Sequence, residues 1–176
     1  MLATKITKTQ KAFLYLISII TGLLMLVYTP KQAQSGELPN FELVRQDDTK
    51  IVNYEKDFKN KPSIIHFWAS WCATCIPEMV KYAEIQNEYP ENLYVIGVNR
   101  RGSAALSLAF TESLQIAGNM NFLIDKDDTL YRAVLGRKMP LTLFVDTNGH
   151  YTVLEGIQKK EAIVAKINEI LLTQKK

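Results

Sequence analysis

Cysteine is scarce in this chain: Cys72 and Cys75 are the only two among 176 residues, so any thiol chemistry rests on that pair. Acidic residues are missing from positions 1–36, which carry Lys5, Lys8, Lys11 and Lys31. Without those four lysines the rest holds 17 basic against 18 acidic residues. The basic pI of 8.8 therefore belongs to the leader and gives no hint of nucleic-acid binding. No cysteine follows the apolar run at 12–28, which excludes a lipid-anchored lipoprotein. Internal repeats, low-complexity segments and cofactor motifs are lacking too.

What is present suits one domain with a real core, since 47% of the residues are hydrophobic. Lys5, Lys8 and Lys11 precede the uncharged run Ala12–Tyr28, and positive charge before an apolar segment sets an N-inside orientation. The run is about as short as a membrane-spanning helix can be and longer than the ~7–15 residues of a signal-peptide core. The expectation is a signal anchor: residues 1–36 form a cytoplasmic n-region, a transmembrane segment at about 12–28 and a polar tether, and residues 37–176 form an extracytoplasmic domain. The alternative is a signal peptide cleaved near Ala33-Gln34-Ser35, which leaves a soluble extracytoplasmic domain. A buried core helix is disfavoured because the run is apolar on every face.

Phe41–Val44 and Ile51–Val52 read as a hairpin, and Asn53 can cap a short helical turn. Ser63–Trp68 is a near-continuous apolar strand of the kind buried on both faces. A helix is predicted from Cys75 to Tyr89 and a strand over Leu93–Asn99, with Arg100-Arg101-Gly102 as a loop. Ser103 then caps a helix with Leu106, Phe110, Leu114 and Ala117 in a stripe, ended by Gly118. Phe122–Ile124 is a short strand, and a short helix runs through Leu135. Leu141–Val145 and Tyr151–Leu154 form a hairpin around Asn148-Gly149, and Glu161–Leu172 is a one-sided helix. This order predicts an α/β domain, a mixed sheet flanked by helices.

Cys72 and Cys75 stand one helical turn apart where a strand meets a helix N-terminus, close enough to bridge and placed where helix-end charge favours a thiolate. So small a ring constrains the unfolded chain little, which argues against a purely structural disulfide. Cys72 is expected to be the exposed nucleophile and Cys75 the buried resolving thiol. Glu78, three residues on and on the same face, can take the Cys75 proton if burial raises its pKa; otherwise it is a solvated first-turn acid. His66 reads either as a core residue or as a titrating group that tunes the thiols. Trp68 belongs to the core, Trp71 to the surface around the dithiol. Arg100 and Arg101 read as a solvated loop, a partner contact being the less favoured use.

Trp68-Ala-Ser-Trp-Cys-x-x-Cys-x-x-Glu78, followed by Lys138-Met-Pro-Leu-Thr-Leu-Phe-Val-Asp146 and Asn148-Gly149, resembles the extracytoplasmic, membrane-tethered thioredoxin-like proteins of the TlpA, ResA and CcmG/DsbE type. The resemblance covers roughly Leu38–Leu172 and implies a thioredoxin-like fold with an N-terminal hairpin extension and a central insertion. It implies that Pro140 is cis and faces the disulfide, that the Met139 backbone pairs with an incoming peptide, and that Glu78 acts as the acid of the reductase members; a simple strand-start role for Pro140 is the alternative. Three departures stand out. His66 replaces the Asn or acid of relatives. Val80 stands where a kinking proline is common, and Pro77 comes earlier, moving a missing backbone hydrogen bond towards the active site. Ala73-Thr74 replaces the usual Pro-containing dipeptide, and this pair tunes the potential.

The expected activity is that of a protein-disulfide reductase using the Cys72–Cys75 pair and no cofactor, with apocytochrome c or oxidase-assembly factors as clients. A transmembrane thiol donor of the DsbD/CcdA kind would supply electrons, and nucleic acid plays no part. The alternative is a copper- or zinc-binding metallochaperone using Cys72, Cys75 and either His66 or His150. A peroxidase fits poorly, because its motif needs Thr three residues before the reactive Cys and Ala69 stands there.

Overall fold

The computed structural model describes residue 11, residues 15–19 and residues 34–173. The chain divides into two compact units, Met1–Gln32 and Ala33–Lys176. In the first, the described residues 15–19 are helical, and Tyr15, Leu16 and Ile19 are exposed. The remainder of the expected 12–28 anchor lies outside the described residues, and among those described no helix is long and apolar enough to cross a membrane.

The second unit is built on β4 (Ser63–Trp68), whose six residues are all buried. A run of β-branched and aromatic side chains with no polar face fits only a strand covered on both sides. It pairs in parallel with β5 (Tyr94–Arg100) and antiparallel with β7 (Leu141–Val145). β6 (Asn121–Asp125) continues the parallel part, and β8 (His150–Glu155) forms the hairpin with β7. The Asp146 carboxylate accepts the backbone N–H groups of Asn148 and His150 at 2.8 and 2.9 Å, and Gly149 takes the left-handed conformation (φ 86°) that the turn needs. The N-terminal hairpin of β2 (Glu42–Arg45) and β3 (Ile51–Asn53) adds to β6 through β2. With β1 (Ser35–Glu37) beside β8, the order is β1-β8-β7-β4-β5-β6-β2-β3.

Helices cover both faces. On one, α2 (Cys75–Glu88) and α5 (Lys160–Leu172) bring Met79, Tyr82, Ile163 and Ile167 against Ile64, Trp68 and Phe144, with Phe110 of α3 (Ala104–Ser113) stacked on Trp68. On the other, α1 (Tyr54–Asp57), capped by the Asn53 side chain, and α4 (Thr129–Ala133) bury Tyr54, Leu130 and Tyr131 against Ile65, Phe67 and Leu143. The mixed sheet, helical layers and N-terminal hairpin are those expected.

Four local expectations are corrected. The stretch Ser35–Glu37 is a strand of the sheet and not part of a polar tether. Gly36 lies opposite Tyr151, where a Cβ would come within 2.8 Å of the tyrosine hydroxyl, and Leu38 is buried beyond it. The third helix ends at Ser113, well before Gly118, and only part of its expected stripe is covered: Phe110 and Leu114 pack half-buried against the core, whereas Leu106 is 74% exposed. Its fully buried residues are Ser107 and Thr111, because the buried Gln46 amide accepts from the Ser107 hydroxyl (2.7 Å) and donates to that of Thr111 (2.9 Å). Arg100 ends β5 and is no loop residue. Pro77 is the third residue of α2, where a backbone N–H has no intrahelical acceptor, so it removes no helical hydrogen bond.

The Gln46 arrangement predicts that Gln46→Ala, which strands the buried Ser107 hydroxyl and removes the donor to Thr111, costs about 1–3 kcal/mol in urea unfolding. Leu106→Ser should stay within about 0.5 kcal/mol of the parent. The reverse order would make Leu106, and not the Gln46 contacts, the packing anchor of the helix's first turns.

Candidate active site

Residues 69–74 leave the end of β4 and turn into α2, where the Cys75 N–H donates to the Cys72 carbonyl at 2.9 Å. Cys72 and Cys75 are joined as a disulfide with Cα atoms 5.3 Å apart. Cys75 is fully buried and Cys72, expected to be exposed, is itself only 7% exposed, but Cys72 alone of the two lines a groove of about 450 Å³, with Trp71, Ala73, Thr74 and Met139. Trp71 is 69% exposed, while Trp68 is wholly buried. The Thr74 hydroxyl lies 3.5 Å from Cys72 Sγ. Pro140 begins the turn into β7, and its peptide bond with Met139 is cis.

Beneath Cys75 lies a buried polar cluster. Glu78 and Tyr82 follow Cys75 at i+3 and i+7, which puts all three on one face of α2. His66 and Thr142 approach from β4 and β7, where they are register partners, and His66 Nδ1 and the Thr142 hydroxyl are 3.0 Å apart. His66, Cys75, Glu78, Tyr82 and Thr142 are each 0–1% exposed. Burial pushes the His66 imidazole down to about 3, opposed in small part by the Cys75 backbone, so the ring is neutral at neutral pH. Burial raises Glu78 above the usual carboxylate range, against the opposing pull of the Gln158 N–H, which donates to Oε1 at 2.9 Å, and of the Lys81 charge. Burial and the neighbouring Glu78 charge raise the Tyr82 phenol as well. The whole cluster thus favours uncharged forms. Among the described residues, His66 Nε2, Glu78 Oε2 and Tyr82 Oη have no hydrogen-bond partner.

The far wall of the groove is Arg100, Tyr131 and Arg137. Arg100 donates twice to Asp128 at 2.8 Å, directs Nη1 at Met139 Sδ (2.8 Å) and stacks 3.4 Å above the Tyr131 ring centre. It is therefore a fixed, 14% exposed group and not the solvated side chain expected. The structure gathers Trp71, Ala73, Thr74 and Met139 with Cys72 in the groove and sets His66 and Glu78 beside buried Cys75, while Pro140 follows Met139 through the cis bond. Tyr82, Thr142, Tyr131 and Arg137 were not singled out from the sequence. The i+7 spacing from Cys75 was a readable signal for Tyr82, whereas nothing local marks Arg137.

The metallochaperone alternative is not favoured. His150 is 68% exposed at the far end of the β7–β8 hairpin from Pro140, and His66 lies buried beneath Cys75 with Nδ1 engaged. Among the described residues no three His, Cys, Asp or Glu side chains converge as a ligand set.

The two perturbed groups predict opposite pH trends. His66, depressed in the fold, contributes stability above pH 6.5 that is lost as pH falls towards about 3. Glu78, raised in the fold, contributes stability below about pH 4.5 that is lost as pH rises through its elevated value. In urea midpoints measured from pH 3.5 to 8, His66→Asn should flatten the acid-side loss and Glu78→Gln the loss at rising pH. Unchanged slopes would remove the two groups as the source.

Comparison with known proteins agrees with this geometry. Residues 35–154 match the AhpC/TSA family. The chain is 35% identical over 79 residues to thioredoxin-like protein YneN of Bacillus subtilis, a match spanning 41% of this chain and 43% of that protein. It is 25% identical over 136 residues to the thiol-disulfide oxidoreductase ResA of Bacillus thuringiensis, covering 76% of each. The crystal structure of the exposed lipoprotein thioredoxin of Streptococcus pneumoniae superposes with a TM-score of 0.66 at 28% identity, covering 74% of this chain and 99% of that one. The resemblance to ResA-type and DsbE-type proteins read from the two sequence motifs therefore holds. A family match over more than half the length, on a thioredoxin-like sheet that presents a Cys-x-x-Cys pair, means that the chain belongs to the AhpC/TSA family.

Proposed function

We propose that this thiol–disulfide oxidoreductase works as a reductase of protein disulfides outside the cytoplasm, held at the membrane by its leader. The observation that carries the direction is the asymmetry of the site: Cys72 opens onto the groove, while fully buried Cys75 has the proton-favouring Glu78 one turn away. The reduced form starts the cycle. The Cys72 thiolate, at the N-terminus of α2, attacks one sulfur of a substrate disulfide and expels the other as a thiolate that takes up a proton. The Met139 backbone, beside the groove, aligns the substrate chain. Cys75 then passes its proton to the Glu78 carboxylate and attacks Cys72 Sγ, releasing the second substrate thiol. Two electrons have moved to the substrate, and the oxidised Cys72–Cys75 pair is the form in the structure. His66, neutral beneath Cys75, and the Ala73-Thr74 pair set the thiol energetics without carrying charge themselves.

Re-reduction needs two electrons from another dithiol. A transmembrane thiol donor of the DsbD/CcdA kind fits a domain on the outer side, and the clients proposed are apocytochrome c cysteines or oxidase-assembly factors. The anchor reading, residues 12–28 spanning the membrane with the domain outside, rests on Lys5, Lys8 and Lys11 before an uncharged run. The exposed apolar side chains of Tyr15, Leu16 and Ile19 are compatible with it.

Expressed in its native membrane, Cys75→Ser should accumulate mixed disulfides between Cys72 and discrete proteins, visible as bands that collapse on reduction, and Cys72→Ser should give none. With the purified full chain, Glu78→Gln should slow release of the second thiol on the order of 10²-fold at pH 7. Absence of trapped partners with Cys75→Ser would overturn the reductase reading.

A further inference from the structure

The groove beside Cys72 carries a local charge that the rest of the domain does not share. Outside the leader the chain holds 17 basic and 18 acidic residues, yet two guanidiniums and no carboxylate line this groove. The first, Arg100, is immobilised by Asp128, Met139 Sδ and the Tyr131 ring. Asp128 also receives Arg101, so one carboxylate faces two guanidiniums and the trio keeps a net positive charge. The other, Arg137, is exposed and forms no ion pair among the described residues. Glu155 acts on the Tyr131 hydroxyl but is not part of the lining. A planar guanidinium with its donors open to solvent is suited to a carboxylate. Arg137 lines the same groove as Cys72 and as Met139, whose peptide bond to Pro140 is cis.

We propose that the groove selects disulfides in protein segments that carry an acidic side chain close to the cysteine under attack, with Arg137 meeting that carboxylate and Arg100 a fixed positive floor beneath the peptide. This rests on the reductase reading above and names the substrate class of the same site. Exposed Trp71, next to Cys72 in the same groove, covers the peptide beside the sulfur. A basic segment meets like charge on the wall and docks less often, a selection exercised by repulsion as well as attraction.

The test uses the reduced full-length protein and three peptides of one scaffold whose single cysteine is blocked as a mixed disulfide with thionitrobenzoate. They differ only in the residues flanking the cysteine: Asp, Ala or Lys. Attack by Cys72 releases the yellow thiolate, and each rate is divided by that of dithiothreitol on the same peptide to remove intrinsic reactivity. The Asp peptide should react about tenfold faster than the Lys peptide at low salt, with the ratio shrinking at high salt. Arg137→Glu should invert the order, and Arg137→Lys should retain it. Equal normalised rates for all three peptides would overturn the selection while leaving the reductase reading in place. Release from none of them would take both. An Arg137-dependent reduction of oxidised glutathione without any peptide preference would overturn the assignment to a protein segment.

Discussion

One pairing arrangement decides where the chemistry occurs. Because β4 lies between a parallel and an antiparallel neighbour, its C-terminal end meets the C-terminal end of one strand and the N-terminal end of the other. Trp68 stands opposite Asn99, one residue from Arg100, and Phe67 stands opposite Leu141, the residue after Pro140. Register alone therefore carries the dithiol, the Met139–Pro140 turn and the arginine wall to one end of the sheet. Any one-residue slip of β4 would turn its side chains to the opposite faces and separate all three. The same register sets His66 against Thr142. Anchoring β4 is thus a catalytic requirement as much as a packing one.

The interior below the pair and the groove beside it follow opposite electrostatic rules. Below, desolvation dominates: imidazole, carboxyl and phenol all favour their neutral forms. Burial there lifts the Glu78 carboxyl above its ordinary range and makes it a better proton acceptor, with the Lys81 charge pulling the other way. Beside the groove, the charges of Arg100, Arg101 and Asp128 persist because each is matched across a short ion pair; burial raises Asp128, but the two guanidiniums outweigh it and hold its carboxyl below the usual range. The interior beneath Cys75 is thus dry and favours neutral groups, whereas the groove beside Cys72 is open and lined by positive charge.

Most of the architecture was legible because it follows from patterns that tertiary context seldom overrides. Ser63–Trp68, four apolar residues in six with β-branched and aromatic side chains, favours a buried strand, and Asn148-Gly149 favours a tight turn. The dithiol was legible for a different reason, as two cysteines spaced one turn apart at a strand–helix junction. The failures share a cause as well. Leu106 belongs to a helical stripe whose Phe110 and Leu114 do pack on the core, but the first turn is covered on the side that faces Gln46, which leaves Leu106 outside. Arg100 and Arg101 read as one solvated pair because their shared partner, Asp128, is far along the chain. Arg137 has no local pattern, since its role depends on a groove that exists only after β5, α4 and the Pro140 turn have come together. Ser35–Glu37 looked like a linker because a three-residue edge strand is too short to show alternation.

Those short outer strands bear on how such a protein can live among its clients. The sheet is bounded by β1 and β3, each only three residues long. A chain whose disulfide is being opened is partly unfolded and rich in unpaired backbone, the ideal recruit for any long open β-edge. Two abbreviated borders leave it few groups with which to zip on. A thiol–disulfide oxidoreductase with such borders offers a second chain little edge to pair with, which limits co-aggregation through the sheet.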